Sequence, residues 1–514
     1  MTDPWLILPV ALPAMTAAIL VLALRHSLAA QRIVSVGATA LQLATAIALY
    51  AAAGDGGYGV YLLGNWPAPF GIVLVLDRLA ATMLLLTGLL ALGVVLAALG
   101  AWDRRGRHFH ALFQFQLLGL NGAFLTGDLF NLFVFFEVLL IASYGLMLHG
   151  GGPRRLRAGF HYIAVNLIGS TVFLFAVGAL YAATGTLNMA DLAVRVPQVA
   201  AGDRALLAAG ALLLLGVFAI KSAMVPLHWW LAPTYGSTSP PAAALFAIMT
   251  KVGAYSIVRV YTLIFGAEAG ALAGIATPWL LPAGIATLVL GTIGVVAGRN
   301  LPDLICHAVI ASMGTLLIAV GLDSAAGLAA ALYYAVQSTL AGAGLFLLAG
   351  LLLKDSGAGG PPFRPVQPTV LHGWLYFLLA IAMVGMPPLA GFIGKLLILE
   401  AGRAAGHTAS VWTAILATSL LLIVGFARTG IRLFWTAAPA ARTRARPAPV
   451  LPTVAVAGTV AAVALLSLLA GPAMEDMTAT AEQLLAPQRY VAAVLRRPVA
   501  ADAVPAWSLD PAGD

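Results

Sequence analysis

Hydrophobic positions along this chain fall in long unbroken runs, with polar residues gathered in the short connections between them. Measured against the roughly 20 apolar residues that a membrane-spanning helix needs, the runs give about fourteen spans. They lie near 4–24, 33–53, 79–101, 109–127, 129–149, 159–183, 205–232, 240–265, 278–298, 302–321, 325–353, 374–401, 411–435 and 452–470. The short alternating strands of a membrane barrel are absent, so the pattern predicts an all-α integral membrane protein. After the last run, Glu475 to Arg497 reads as one amphipathic helix, and the tail carrying Pro498 and Pro505 reads as disordered. The first run has neither a basic flank nor a clear cleavage site, which predicts a retained helix and not a signal peptide.

Two runs are interrupted. The seventh passes through Lys221, Ser222 and Pro226 before His228, Trp229 and Trp230; the twelfth contains Pro387 and Pro388, then Gly391, Gly394 and Lys395. Proline removes a helical hydrogen bond, and backbone opened in this way is tolerated at membrane depth only where protein or water covers it. Matching breaks five spans apart predict two inverted five-helix repeats, spans 4–8 and 9–13, with helices 7 and 12 discontinuous, a pattern that points to a transport site. The expected organisation is an N-terminal unit (1–108), a first repeat (109–265), a second repeat (278–435) and a final helix with the C-terminal segment (452–514).

Composition changes this picture only at a few points. Charged residues make up 9% of the 514, far below the roughly 25% of soluble domains, and the 54 glycines suit close helix packing in lipid. A net charge of +8 would point to nucleic acid in a soluble protein. Here the arginines cluster in alternate short connections (Arg25 and Arg32; Arg104, Arg105 and Arg107; Arg154, Arg155 and Arg157; Arg299; Lys354 and Arg364; Arg442, Arg444 and Arg446), so the charge reads as topology. The positive-inside rule places those connections in the cytoplasm and both termini outside, an even number of spans. The single cysteine, Cys306, excludes an internal disulfide and a multi-cysteine metal site. No phosphate-binding loop, dinucleotide fingerprint or metal-ligand cluster is present, so neither ATP hydrolysis nor a bound cofactor is expected.

The remaining chemistry lies in the spans. Only four residues are lysine against twenty-three arginines, and three of those four, Lys221, Lys251 and Lys395, fall inside predicted spans. Arginine does not release its proton in proteins, whereas a desolvated lysine can, so surface charge is assigned to arginine and titrating charge to lysine. Glu137, near the middle of span five, should be paired or protonated at that depth, and Lys221 is its expected partner, forming a switch. Lys251 is expected as the next proton station and Lys395 as the terminal one. His228 reads equally as a relay or as a group bonded to opened carbonyls, His161 as interfacial, and His307 as either packed polar residue or relay. Asn166, Ser170, Ser312, Gln337, Ser338 and Thr339 are suited to ordering water, or to joining helices.

The stretches FFEVLLIASYGLMLHG around Glu137, IKSAMVPLHWWLAPTYGSTSPPAAALFAIMTKVGAYSIVR around Lys221 and Lys251, and MVGMPPLAGFIGKLLILEAG around Lys395 resemble the antiporter-like membrane subunits shared by respiratory complex I and the multisubunit Mrp-type (Pha/Mnh) Na+/H+ antiporters. The resemblance runs over about 77–435, and SYGLMLHG, TGTLNMADLA and LAPTYGSTSPPAAALF are most similar to the D-type subunits of the Mrp group. It implies fourteen helices in two inverted repeats, a Glu137–Lys221 pair, Lys251 as central and Lys395 as terminal residue, a water-joined proton path, and assembly with subunits of the A, B, C, E, F and G types. Many relatives in that family carry a histidine in span eleven where this chain has Gln337, which cannot take up a proton. The relay from Lys251 to Lys395 would then depend on His307 or on water.

The expected function is therefore proton conduction within a Na+ or K+/H+ antiporter of the bacterial inner membrane. The alternatives are a proton-pumping module of a complex I-like or hydrogenase assembly, and a purely structural membrane subunit with a relic ion pair.

Overall fold

The computed structural model describes residues 4–355, 363–365, 368–435 and 449–496. The loop arginines Arg442, Arg444 and Arg446 and the tail with Pro498 and Pro505 lie outside the described residues. The first half comprises α1 (Leu8–Leu22), α2 (Leu28–Ala53), α3 (Arg78–Ala98), α4 (Phe109–Leu125), α5 (Leu129–Leu148), α6 (Pro153–Thr184), α7 (Met189–Arg195), α8 (Arg204–Lys221), α9 (Leu231–Tyr235), α10 (Pro240–Phe246) and α11 (Met249–Leu263). The second comprises α12 (Thr277–Ala297), α13 (Leu301–Val320), α14 (Ala325–Leu352), α15 (Val370–Val384), α16 (Ala390–Ala404), α17 (Thr408–Phe434), α18 (Val450–Leu468), α19 (Ala470–Leu484) and α20 (Pro487–Leu495).

Twelve helical stretches among the described residues are long and apolar enough to cross a membrane. The other two expected spans are α4, with 17 residues, and the broken pair α15 and α16, with 15 each. The all-α membrane architecture is as the hydropathy pattern predicts. Two short antiparallel pairs interrupt it outside the spans: β1 (Gly59–Leu62) with β2 (Val73–Leu76), and β3 (Leu353–Asp355) with β4 (Phe363–Pro365).

Caps and polar side chains set the helix ends and registers. Asp77 and Asp128 cap α3 and α5 by accepting from the backbone N–H of Ala80 and Asn131. Within α1, Pro13 has no N–H to give, so the carbonyl of Pro9 is left without its helical donor. Gln42 of α2 and Asn121 of α4 both donate to that carbonyl, at 3.0 and 2.9 Å. Below them Gln114 donates to the Ser35 carbonyl and to Thr39 Oγ1, so α1, α2 and α4 are held by hydrogen bonds at depths where apolar contact alone gives helices little reason to associate.

Three expectations need correction. The segment after the last span is not one amphipathic helix: Pro487 starts a new helix, and α19 and α20 meet at Leu485 and Ala486. Together they strap one end of the bundle. Asp476 pairs with Arg78 at 2.6 Å and accepts from the Tyr50 hydroxyl, and Gln483 bonds to the N–H of Arg78 and the carbonyl of Gly56. Next, arginine is not confined to surface connections. Arg259, inside span eight, is 3% exposed and holds Asp77 in a two-point ion pair, with Tyr255 and Tyr490 ring faces 5.5 Å from its guanidinium carbon. Last, span eight is not continuous: α10 ends at Phe246 and α11 starts at Met249, and Ala247, Ile248 and Lys251 bond back three residues instead of four.

Candidate functional site

The three intramembrane lysines share a local setting. Lys221 is the last residue of α8, Lys251 lies two residues into α11, and Lys395 five into α16, so each stands beside a helix interruption. All three are nearly inaccessible, at 5%, 2% and 5% exposure, and each ammonium donates to neutral acceptors. Lys221 Nζ reaches Asn166 Oδ1 at 2.9 Å, Lys251 Nζ reaches Ser312 Oγ at 3.3 Å, and Lys395 Nζ reaches both the Val384 carbonyl and Ser419 Oγ at 2.8 Å. No salt bridge of 4 Å or less holds any of them among the described residues.

Glu137 and Lys221 are brought to one site, but not into contact. The carboxylate accepts from Ser170 Oγ, the ammonium donates to Asn166, and those two residues sit one turn apart on α6. Each charge thus takes its hydrogen bond from a different turn of α6, and no hydrogen bond or ion pair joins them directly. The Phe136 ring, adjacent to the carboxylate in sequence, lies 5.8 Å from the ammonium, within cation–π range. Glu137 is half-buried, and Val134 and Ile141 on its helix face are 38% and 64% exposed, so the acid stands at the margin of the core and not deep in it.

The break after Lys221 is held by side chains. Trp230 donates its indole N–H to the Ile220 carbonyl at 3.1 Å, and the N–H of Val225 is taken by Thr287 Oγ1 at 2.9 Å. Gly253 of α11 presses on this turn: a Cβ there would meet Ser222 Oγ at 2.5 Å and the Lys221 carbonyl carbon at 2.9 Å. That contact sets Lys251, two residues earlier in α11, beside the break that carries Lys221. Lys251 also borders a cavity of about 20 Å³, otherwise lined by apolar side chains and Tyr255, room for one water molecule.

The break before Lys395 is arranged differently. Gly385 adopts a left-handed conformation at φ +83° and ends α15. Of the carbonyls this frees, Val384 receives the lysine and Ala382 receives Gln337 Nε2 at 2.6 Å. Gln337 is therefore spent on holding the break, with its Oε1 buried and unpartnered. Lys251 and Lys395 are not joined by any direct hydrogen bond among the described residues.

His228 and His307 line one cavity of about 410 Å³ with Asp303. His307 Nδ1 lies 2.8 Å from the Asp303 carbonyl, and His228 Nδ1 is buried without a partner. His161 is exposed at the start of α6. Among the described residues no group of three or more His, Cys, Asp or Glu could hold a metal ion. Ser419, Thr287 and the Trp230 indole were not legible as site residues, because single polar groups on apolar helices give no pattern. The interruption at Lys251 carried no proline or glycine signal.

Residues 126–423 match the family model described as the transmembrane region of NADH:quinone oxidoreductase and Mrp antiporters. The chain is 42% identical to the D-type subunit of a probable K(+)/H(+) antiporter from Rhizobium meliloti (strain 1021), over 96% of this chain and 98% of that one. It is 38% identical to the D-type subunit of a Na(+)/H(+) antiporter from Bacillus subtilis (strain 168), over 96% and 99%. A chain of the solved Mrp complex from Dietzia sp. DQ12-45-1b superposes with a TM-score of 0.84 at 28% identity, covering 96% of this chain and 99% of that one. This multi-pass membrane chain belongs to the NADH:quinone oxidoreductase/Mrp antiporter membrane-subunit family.

Proposed function

We propose that the chain is the proton-conducting D-type subunit of a multisubunit monovalent cation/proton antiporter. The observation that carries this reading is the placement of Lys221, Lys251 and Lys395, each buried beside a helix interruption and each bonded to neutral acceptors. A lysine without a bound carboxylate can exist with or without its proton without abandoning a contact ion pair, and removing one partner of such a pair is what makes a buried charge costly. Glu137 and Lys221 bond to Ser170 and Asn166, one turn apart on α6, and the acid biases the first station. A proton passing along Lys221, Lys251 and Lys395 uses water for the steps that no side chain bridges, and His228 and His307 line its approach from the arginine-rich side.

Relatives named for both Na(+)/H(+) and K(+)/H(+) exchange support antiport and leave Na+ and K+ as the two cations to test. The partners are further subunits of the A, B, C, E, F and G types. The arginine-rich connections face the cytoplasm of a bacterial inner membrane and both termini face outward, an assignment that rests on charge bias. The working units are two inverted repeats, 109–265 and 278–435, each holding one proline-broken helix, flanked by 1–108 and 452–514.

The test uses inverted vesicles containing the whole complex, energised with a respiratory substrate, with ΔpH followed by dye dequenching on adding Na+ or K+. Wild type dequenches, and an assembled Lys221→Ala complex does not. Undiminished dequenching in that variant would overturn the relay, and no cation response in wild type would transfer the reading to a redox-driven module.

A further inference from the structure

The first turn of α6 carries Arg154, Arg155 and Arg157 and no acidic residue. A helix N-terminus already bears about half a positive charge, and acids are what stabilise it. Three arginines there oppose the helix dipole. Arg155 is buried and donates to the carbonyls of Ser237 and Gly151, both at 3.1 Å. Arg154 and Arg157 are exposed, with no hydrogen-bond or ion-pair partner among the described residues.

Arg154 and Arg157 both line a cavity of about 350 Å³, mostly apolar, whose other walls include His161, Trp229, Trp230 and Pro233. Arg154, Arg157 and His161 recur at intervals of three and four, so they share one face of α6. His161 engages the Arg157 carbonyl through Nδ1, which leaves Nε2 uncommitted. Beside this polar edge the surface is apolar: Phe160, packed against His161, and Trp229 are 72% and 55% exposed. Positive-inside topology accounts for arginines in this connection, but it does not require two of them to line a cavity walled by tryptophan.

We propose that this cavity binds the headgroup of an acidic phospholipid, with the phosphodiester on Arg154 and Arg157 and the acyl chains against the exposed apolar side chains. Basic pockets between helices at a membrane interface take such headgroups. A free phosphate would satisfy the charge but would leave the tryptophan wall and its apolar surroundings unused. Trp229 and Pro233 also line the cavity of His228 and His307, so the lipid supports the wall between the two cavities. The binding stands independently of the transport reading, since its measurement needs no ion flux.

The complex is extracted, depleted of lipid, and mixed with micelles containing phosphatidylglycerol or, separately, phosphatidylcholine; retained lipid is measured by native mass spectrometry. Wild type retains phosphatidylglycerol. The Arg154→Ala/Arg157→Ala complex, checked for its full set of subunits, should bind about thirtyfold more weakly, the loss expected for two basic residues. The Arg154→Lys/Arg157→Lys complex should retain most of the binding, and Arg25→Ala, in another arginine-rich connection, all of it. Equal retention in the double alanine variant would overturn the proposal. So would displacement of the lipid by millimolar inorganic phosphate, which would mark a site for soluble anions.

Discussion

The two broken helices solve the same problem with opposite assignments of their lysines. At the first break, the freed carbonyl of Ile220 is capped by the Trp230 indole, and Lys221 turns away to Asn166 and the Phe136 ring. At the second, Lys395 is itself a cap, on the Val384 carbonyl, and Gln337 caps Ala382. A lysine that caps no backbone can lose its proton while the break stays closed. One that caps a carbonyl couples its proton to the shape of the helix. The difference predicts that substitutions at the first break impair transport while sparing the fold, and that substitutions at the second impair both.

The largest effect is expected at the glycines that press on the breaks. A Cβ at Gly391 would overlap the Ala382 carbonyl oxygen and lie 2.6 Å from Gln337 Nε2. Gly391→Ala should therefore prevent recovery of assembled complex by size-exclusion chromatography. Gly253→Ala meets Ser222 at 2.5 Å, where part of the obstacle is a hydroxyl that can rotate. It should assemble, with an overpacking loss of about 1–3 kcal/mol read as a lowered Tm. Recovery of the Gly391 variant at wild-type yield would break the comparison.

A smaller effect should follow removal of the caps. Gln337→Leu leaves the Ala382 carbonyl buried and unpaired, at a loss of about 1–3 kcal/mol. Trp230→Phe also frees a carbonyl, Ile220, but keeps a ring in place beside a break next to open cavities. Its thermal loss should be the lesser of the two, and the reverse order would mean that the first break is the less tolerant. The smallest effect is at Ser419, one of two acceptors for Lys395. A lost interhelical hydrogen bond of roughly 0.6 kcal/mol corresponds to about a threefold change, so Ser419→Ala should slow cation-dependent dequenching by no more than that. Complete loss would make the hydroxyl a station in its own right.

What the sequence made legible follows the reach of its signals. Spans are written in contiguous runs, and the breaks at Pro226 and Pro387–Pro388 are written in a residue that cannot continue a helix. Three lysines amid arginines mark three of the buried charges, and Arg259 is the one that this signal passes over. The interruption before Lys251 left no such mark, because Ala247 and Ile248 are ordinary helix residues there. The burial of Arg259 depends on Asp77, 182 residues away, and no local pattern records a partner at that distance. Charge and family resemblance both point to a Glu137–Lys221 pair, and neither reveals that Ser170 and Asn166 take the two hydrogen bonds. Gln337 was weighed as a relay position; its neighbour in space, the carbonyl of Ala382, explains why an amide donor serves there.

The strap formed by α19 and α20 has a consequence for biogenesis. Asp77 and Arg78 are synthesised in the first sixth of the chain, yet the groups that cover them, Asp476, Gln483 and Tyr490, are among the last described residues to leave the ribosome. Until then the Arg259–Asp77 pair has the Tyr255 ring but lacks that of Tyr490, and Arg78 lacks its acid. That end of the bundle thus closes only once Asp476 and Gln483 reach Tyr50, Arg78 and Gly56, across more than 400 residues of chain in three of the hydrogen bonds.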